Sequence, residues 1–168
     1  QCLNRTEFEF LYGLDGNINP IIFNKYDNLI NELSENKNIR RLLANYYQCD
    51  ESEVALTKDE LNENTVVTKI FYPVHSNCCY PKLRIIFGNA YGNYLHSATG
   101  ISSIEYIKGD AEFDYLTSSE GLDNLIYIGG NAFFSSMEDT SYLNDNLEIV
   151  GNKNFKNGFE PPRFQKKI

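Results

Sequence analysis

Residues 104–113 read IEYIKGDAEF and residues 125–134 read LIYIGGNAFF. Laid over one another, the two stretches share an apolar opening residue, an isoleucine, a glycine, an alanine and a phenylalanine. The step between them is 21 residues. Working outward, the same pattern extends in both directions. Tyr80, Leu83, Ile86, Gly88 and Ala90 form one register. Ile101, Ile104, Ile107, Gly109 and Ala111 form the next, and Leu122, Leu125, Ile128, Gly130 and Ala132 a third. A fourth follows with one residue inserted, at Leu143, Leu147, Val150, Asn152 and Asn154. Self-similarity at a fixed period of this size is the mark of a stacked-repeat architecture.

The spacing dictates the shape of one unit. Apolar residues three apart suit a 3₁₀-like turn, whereas Ile, Gly and Ala at steps of two suit a strand buried on one face. A unit of this length makes one coil of a solenoid, and each coil buries its apolar edge only against its neighbours. By that parity Ile86, Gly88, Ala90 and their equivalents face inward. The small residues leave room for Tyr94, Leu95, Tyr115, Leu116 and Met137 from the return segment. Gly109→Val is then expected to be more damaging than Gly151→Val, which the parity places outward.

The pattern L-x-x-L-x-x-I-x-G resembles leucine-rich repeats, particularly the bacterial and receptor-L-domain-like variants, over roughly residues 80–155. The resemblance implies a parallel sheet on one face, irregular or 3₁₀ return segments on the other, and protein binding rather than catalysis. The chain departs from the commonest form. Gly88, Gly109 and Gly130 stand where an asparagine ladder is expected, and the last register loses both Gly and Ala.

The first half follows other rules. Residues 1–23 suggest two short strands around a turn. From Tyr26 to Tyr47 apolar residues recur at three- and four-residue steps, as in a helix broken near Asn36 or a pair of helices with Asn38 capping the second. Residues 52–61 suggest another short helix, and 65–72 a strand ending at Pro73. The expected fold is α+β: an N-terminal strand–helix cap over residues 1–79, then a short leucine-rich-repeat-like β-solenoid over 80–168. That solenoid has about four units of 21–22 residues and a C-terminal tail.

Composition bounds the function. The chain has 168 residues, 42% of them hydrophobic, with 12 Tyr and 11 Phe, which is too rich in core-forming residues for a disordered tail. No apolar run is long enough to span a bilayer. A net charge of −8 argues against direct nucleic-acid binding. The charge is also uneven. Residues 101–148 hold ten acidic residues against Lys108 alone, so 48 residues carry −9 and the other 120 about +1. Cys2, Cys49, Cys78 and Cys79 form no Cys-x-x-Cys pair and read as buried free thiols, so neither metal nor cofactor is expected. Arg40 and Arg41 read as a solvated helix face, and His75 as a loop histidine. No nucleophile elbow, zinc-protease, P-loop or dinucleotide motif occurs. Asp110 and Glu112, roughly 7 Å apart on one strand face, have a glycosidase-like separation but nothing to set their protonation apart.

Residues alternating with the buried ones are expected to point outward and to form the partner surface: Phe87, Asn89 and Tyr91; Lys108, Asp110 and Glu112; Asn131 and Phe133; Lys153 and Phe155. Exposed aromatics in a row mark a contact surface, and an acidic face favours a basic partner. The expectation is a non-enzymatic cytoplasmic inhibitor or effector, phage- or mobile-element-encoded, docking on a basic, nucleic-acid-handling protein. The alternatives are a piece of a secreted or surface leucine-rich-repeat adhesin and a carbohydrate-active enzyme.

Overall fold

Residues three apart do turn the chain. The backbone N–H of Ile104 donates to Ile101 O, that of Leu125 to Leu122 O and that of Leu83 to Tyr80 O, each closing one tight 3₁₀-type turn. A computed structural model describes residues 39–73, 79–158 and 161, and shows a parallel β-solenoid of about four turns with few helices. The strands proposed for residues 1–23 and the loop at His75 lie outside the described residues.

Each turn feeds a two-residue strand, a corner, a second short strand and a return. The strands are β1 (Val54–Ala55), β2 (Val67–Thr68), β3 (Ile85–Ile86), β4 (Ala90–Tyr91), β5 (Tyr106–Ile107), β6 (Ala111–Glu112), β7 (Tyr127–Ile128), β8 (Ala132–Phe134), β9 (Glu148–Ile149) and β10 (Lys153–Phe155). They form two parallel sheets. One has six strands in the order β1-β2-β3-β5-β7-β9, and the other has four, β10-β8-β6-β4. The single strand read from the I-x-G-x-A alternation is therefore two strands with a corner between them. The physical reason is closure, since a coil must bend to return over its neighbour.

The core fills the space between the sheets. Ile86, Ile107 and Ile128 are in register on adjacent strands, and all three are fully buried. Ala90, Ala111 and Ala132 stack opposite them, fully buried as well. Beyond the alanines, Phe113, Phe134 and Phe155 stack with ring centroids 6.1 and 5.5 Å apart. Leu95, Leu116 and Met137 close each coil from the return side.

The fourth coil corrects the register. Ile128 pairs with Ile149, so Ile149 is the buried residue and Val150 is 57% exposed. The step from the third coil to the fourth is 21 residues as elsewhere, so no residue is inserted; only Leu147 stands one place later in its turn than Leu125 does. Gly151 then follows Gly130 in the corner, and its N–H donates to Gly130 O at 2.9 Å. The last coil keeps its glycine. Its alanine position is taken by Lys153, which pairs with Ala132.

Sheet one also has an outer face. Ile85, Phe87, Tyr106 and Tyr127 point away from the coil interior and are buried beneath Leu43, Ala44 and Tyr47 of helix α1 (Ile39–Tyr47). Arg40 of α1 is tied to β1 and its sequel, donating to Val54 O and to Glu60 Oε2, rather than lying on a free solvated face. Arg41 is exposed. The helix expected at 52–61 is instead a 3₁₀ turn (Glu51–Glu53), strand β1 and a second 3₁₀ turn (Lys58–Glu60). Val54 and Ala55 are both buried, as a strand joining the sheet requires. The parallel sheet thus reaches back through β2 and β1, well before residue 80.

Candidate functional site

The corner decides which polar residues are free to act. Asn89, Asp110 and Asn131 do not face a partner. Their side chains accept the backbone N–H of the next coil: Asp110 N to Asn89 Oδ1, Asn131 N to Asp110 Oδ1 and Asn152 N to Asn131 Oδ1, each at 2.8 Å. The asparagine ladder exists, one residue after the glycines. A corner leaves N–H groups with no strand partner, and buried donors must be satisfied. Asn and Asp are the short acceptors that can do it.

The ladder predicts a sharp difference between two variants. Asp110→Asn keeps the acceptor, as its neighbours Asn89 and Asn131 do, and should leave thermal unfolding nearly unchanged. Asp110→Ala orphans the Asn131 N–H and should cost about 1–3 kcal/mol in chemical denaturation. Equal melting of the two variants would remove the ladder from the account.

The remaining expected partner residues divide by position. Phe87 is 4% exposed, in the cluster under α1. Lys108, on the same outer face, is half-buried, and burial lowers its pKa. Phe155 is 3% exposed inside the solenoid. Lys153 takes an inward register at the last coil. Only Tyr91, Glu112 and Phe133 stand together, half-buried, on the outer face of the second sheet. Asn154, not Phe155, is the next residue in that row.

Around this row lies a group that the sequence reading placed elsewhere. Tyr94 and Tyr115, assigned to the interior, are 56% and 55% exposed. Phe71 bridges Ala90, which sets Tyr72 beside Tyr91 with ring centroids 6.0 Å apart. Tyr72, Tyr91, Asn93, Tyr94 and Tyr115 line a cleft of about 310 Å³. His96 stacks on Tyr115 at 5.8 Å. The amino group of Lys58 sits 5.5 Å over the Tyr72 ring. Glu112 borders the cleft, 3.4 Å from Asn93 Nδ2. The 21-residue step from Tyr94 to Tyr115 is visible in the sequence. Tyr72 precedes the repeat and gives no such signal.

A second opening, an open groove of about 710 Å³, runs between the end of α1 and the turns that lead into the first sheet, past Cys49, Lys82, Arg84, Glu105 and Asn144. Its charges are already matched, with Arg84 paired to Glu105 and Lys82 to Glu53. The Cys49 thiol there is pushed up to about 11, by burial first and then by Glu53 and Asp50, which makes it a poor nucleophile at neutral pH. Cys79 is exposed, so the reading of all four thiols as buried fails there; Cys2 and Cys78 lie outside the described residues. Among the described residues no cluster of three or more His, Cys, Asp or Glu could hold a metal, and no helix is long and apolar enough to cross a membrane. Comparison with known proteins finds no matching family model, no matching curated protein and no matching solved structure.

Proposed function

We propose that this chain is a non-enzymatic protein-binding solenoid of leucine-rich-repeat-like units, with α1 as part of a cap, that docks on a basic, nucleic-acid-handling protein. The observation that carries the reading is the outer face of the second sheet. There Tyr91, Glu112 and Phe133 stand half-exposed in one row, continued by Tyr72, and Glu112 and Phe133 belong to the strongly negative stretch 101–148. Aromatic residues at the centre of a patch supply most of an interface's energy, and the surrounding charge sets the association rate. Asp110 is excluded from that surface because its carboxylate is used inside the ladder.

The test is kinetic. The immobilised protein is challenged with a set of defined basic and acidic protein domains at low and high salt. Basic domains should be retained, with association slowed by salt. Phe133→Ala should raise the dissociation rate about tenfold or more, and Glu112→Gln should mainly slow association. Retention without regard to charge, or unchanged kinetics in both variants, would overturn the reading.

A further inference from the structure

We infer that the tyrosine cleft between Tyr72, Tyr91, Tyr94 and Tyr115 is a receptor for a single cationic side chain, arginine foremost, projecting from the partner. This inference rests on the proposed docking function and names the group that the surface would capture.

Three features converge on a cation. The cleft is walled by four tyrosine rings, three of them more than a third exposed although large aromatics are usually buried. An aromatic face attracts a cation through its quadrupole, and guanidinium also stacks on it by shape. One of these rings is already used in that way, since Lys58 places its ammonium over Tyr72. At the rim stands one carboxylate linked to Asn93, that of Glu112; Asp114 meets Asn93 through its backbone, and its own carboxylate takes the Ser135 hydroxyl. The Asn93 amide donates toward Glu112, and its oxygen accepts the Asp114 N–H at 3.1 Å. The charge fits in part, because Tyr115 and the bordering Glu112 come from residues 101–148, the stretch that holds the negative excess of the chain.

A sugar would ask for something else. A pyranose stacks on an aromatic ring but also needs several free hydrogen-bonding groups around its hydroxyls. Here Asn93, the one amide among the lining residues, is engaged at both of its ends. The Tyr91 hydroxyl accepts from Asn89 Nδ2 at 2.9 Å, which also fixes its ring. The cleft therefore offers π-surface and a bordering carboxylate, while a neutral ligand would have only tyrosine hydroxyls, on Tyr72, Tyr94 and Tyr115, beside an amide that is already engaged.

The experiment uses the full chain, with the tyrosine rings labelled for NMR. It is titrated with a short arginine peptide, with the same peptide carrying norleucine in place of arginine, and with a neutral β-linked oligoglucoside. The arginine peptide should give saturable shifts at the rings of Tyr94 and Tyr115, and the norleucine peptide should not. Tyr94→Ala with Tyr115→Ala should weaken the arginine peptide by about three- to thirtyfold while the melting temperature holds, because both residues are exposed. Glu112→Gln should weaken it as well. Equal shifts from the norleucine peptide, stronger shifts from the oligoglucoside, or no response to arginine would each overturn the cleft assignment. A basic domain that still binds the double tyrosine variant at full strength would overturn the cleft but leave the docking function standing. Saturable arginine binding with no retained basic domain would do the reverse.

Discussion

Ile107→Asp should leave no folded protein. Ile107 has no exposed surface, lies between Ile86 and Ile128 on neighbouring strands, and is at the centre of the continuous stack that joins all the coils. A carboxylate there has no cationic partner among the residues that enclose it, which are aliphatic and aromatic. Burying an unpaired charge costs several kcal/mol, on top of the lost isoleucine contacts. A domain of this size has only about 5–15 kcal/mol of stability in total. The solenoid makes the effect worse, because each coil is stable only through its neighbours and a defect in the middle separates two short arrays. Circular dichroism and gel filtration should show loss of cooperative melting or aggregation. A soluble Ile107→Asp variant with a cooperative transition would contradict the stacked core. Val150→Asp provides the control. The repeat spacing alone would have placed Val150 beside Ile107's equivalents, but it is exposed and should accept the charge with little change.

That contrast shows how far the sequence could be read. The period of 21 was legible because one turn type, one strand and one corner recur unchanged through three coils. Ile86, Ile107 and Ile128 were correctly placed inside on that basis. Two things hid the rest. First, a period of two does not distinguish a straight strand from two short ones with a corner between them. Asn89, Asp110 and Asn131 therefore looked like an exposed row when they are the corner's internal hydrogen-bond acceptors. Second, the repeat is regular only where the coils are equal. Val67 pairs with Ile85 and Val54 with Val67, steps of 18 and then 13 residues, so β1 and β2 belong to the sheet but not to the pattern. Short coils shift every residue class, and Tyr72, which completes the cleft, falls in that irregular region. Phe87 escapes the sequence pattern for a different reason. Its outward direction was right, but the outer face of the first sheet is covered by α1, and a local period cannot report what another part of the chain lays over it.

The corner glycines give the second large effect, and here the expectation from parity is reversed. Strict alternation made Gly109 an inward residue and Gly151 an outward one, so that valine should be tolerated at the latter. In the structure the two occupy the same place in corners two coils apart, with Gly130 between them. A Cβ on Gly109 would lie 2.0 Å from Asn89 Oδ1 and 2.9 Å from Gly88 O; on Gly151 it would lie 2.4 Å from Asn131 Oδ1 and 2.6 Å from Gly130 O. Neither clash is relieved by a flexible side chain. The amide oxygen is held by the N–H of the following residue, and the carbonyl is backbone that itself accepts the glycine N–H at 2.9 Å. Adding a side chain must therefore push two coils apart and break a ladder bond together with a backbone bond. Overpacking of this kind typically costs about 1–3 kcal/mol, and a lost buried hydrogen bond adds about as much again. Gly109→Val and Gly151→Val should thus both shift the denaturation midpoint strongly downward. Gly109→Val should act on the whole transition, and Gly151→Val should in addition loosen β9 and β10, where only one neighbouring coil supports the chain. Hydrogen exchange at the amides of residues 148–155 would separate the two. If Gly151→Val unfolds like the wild type, the glycine column ends at Gly130 and the last coil is not built as the others are.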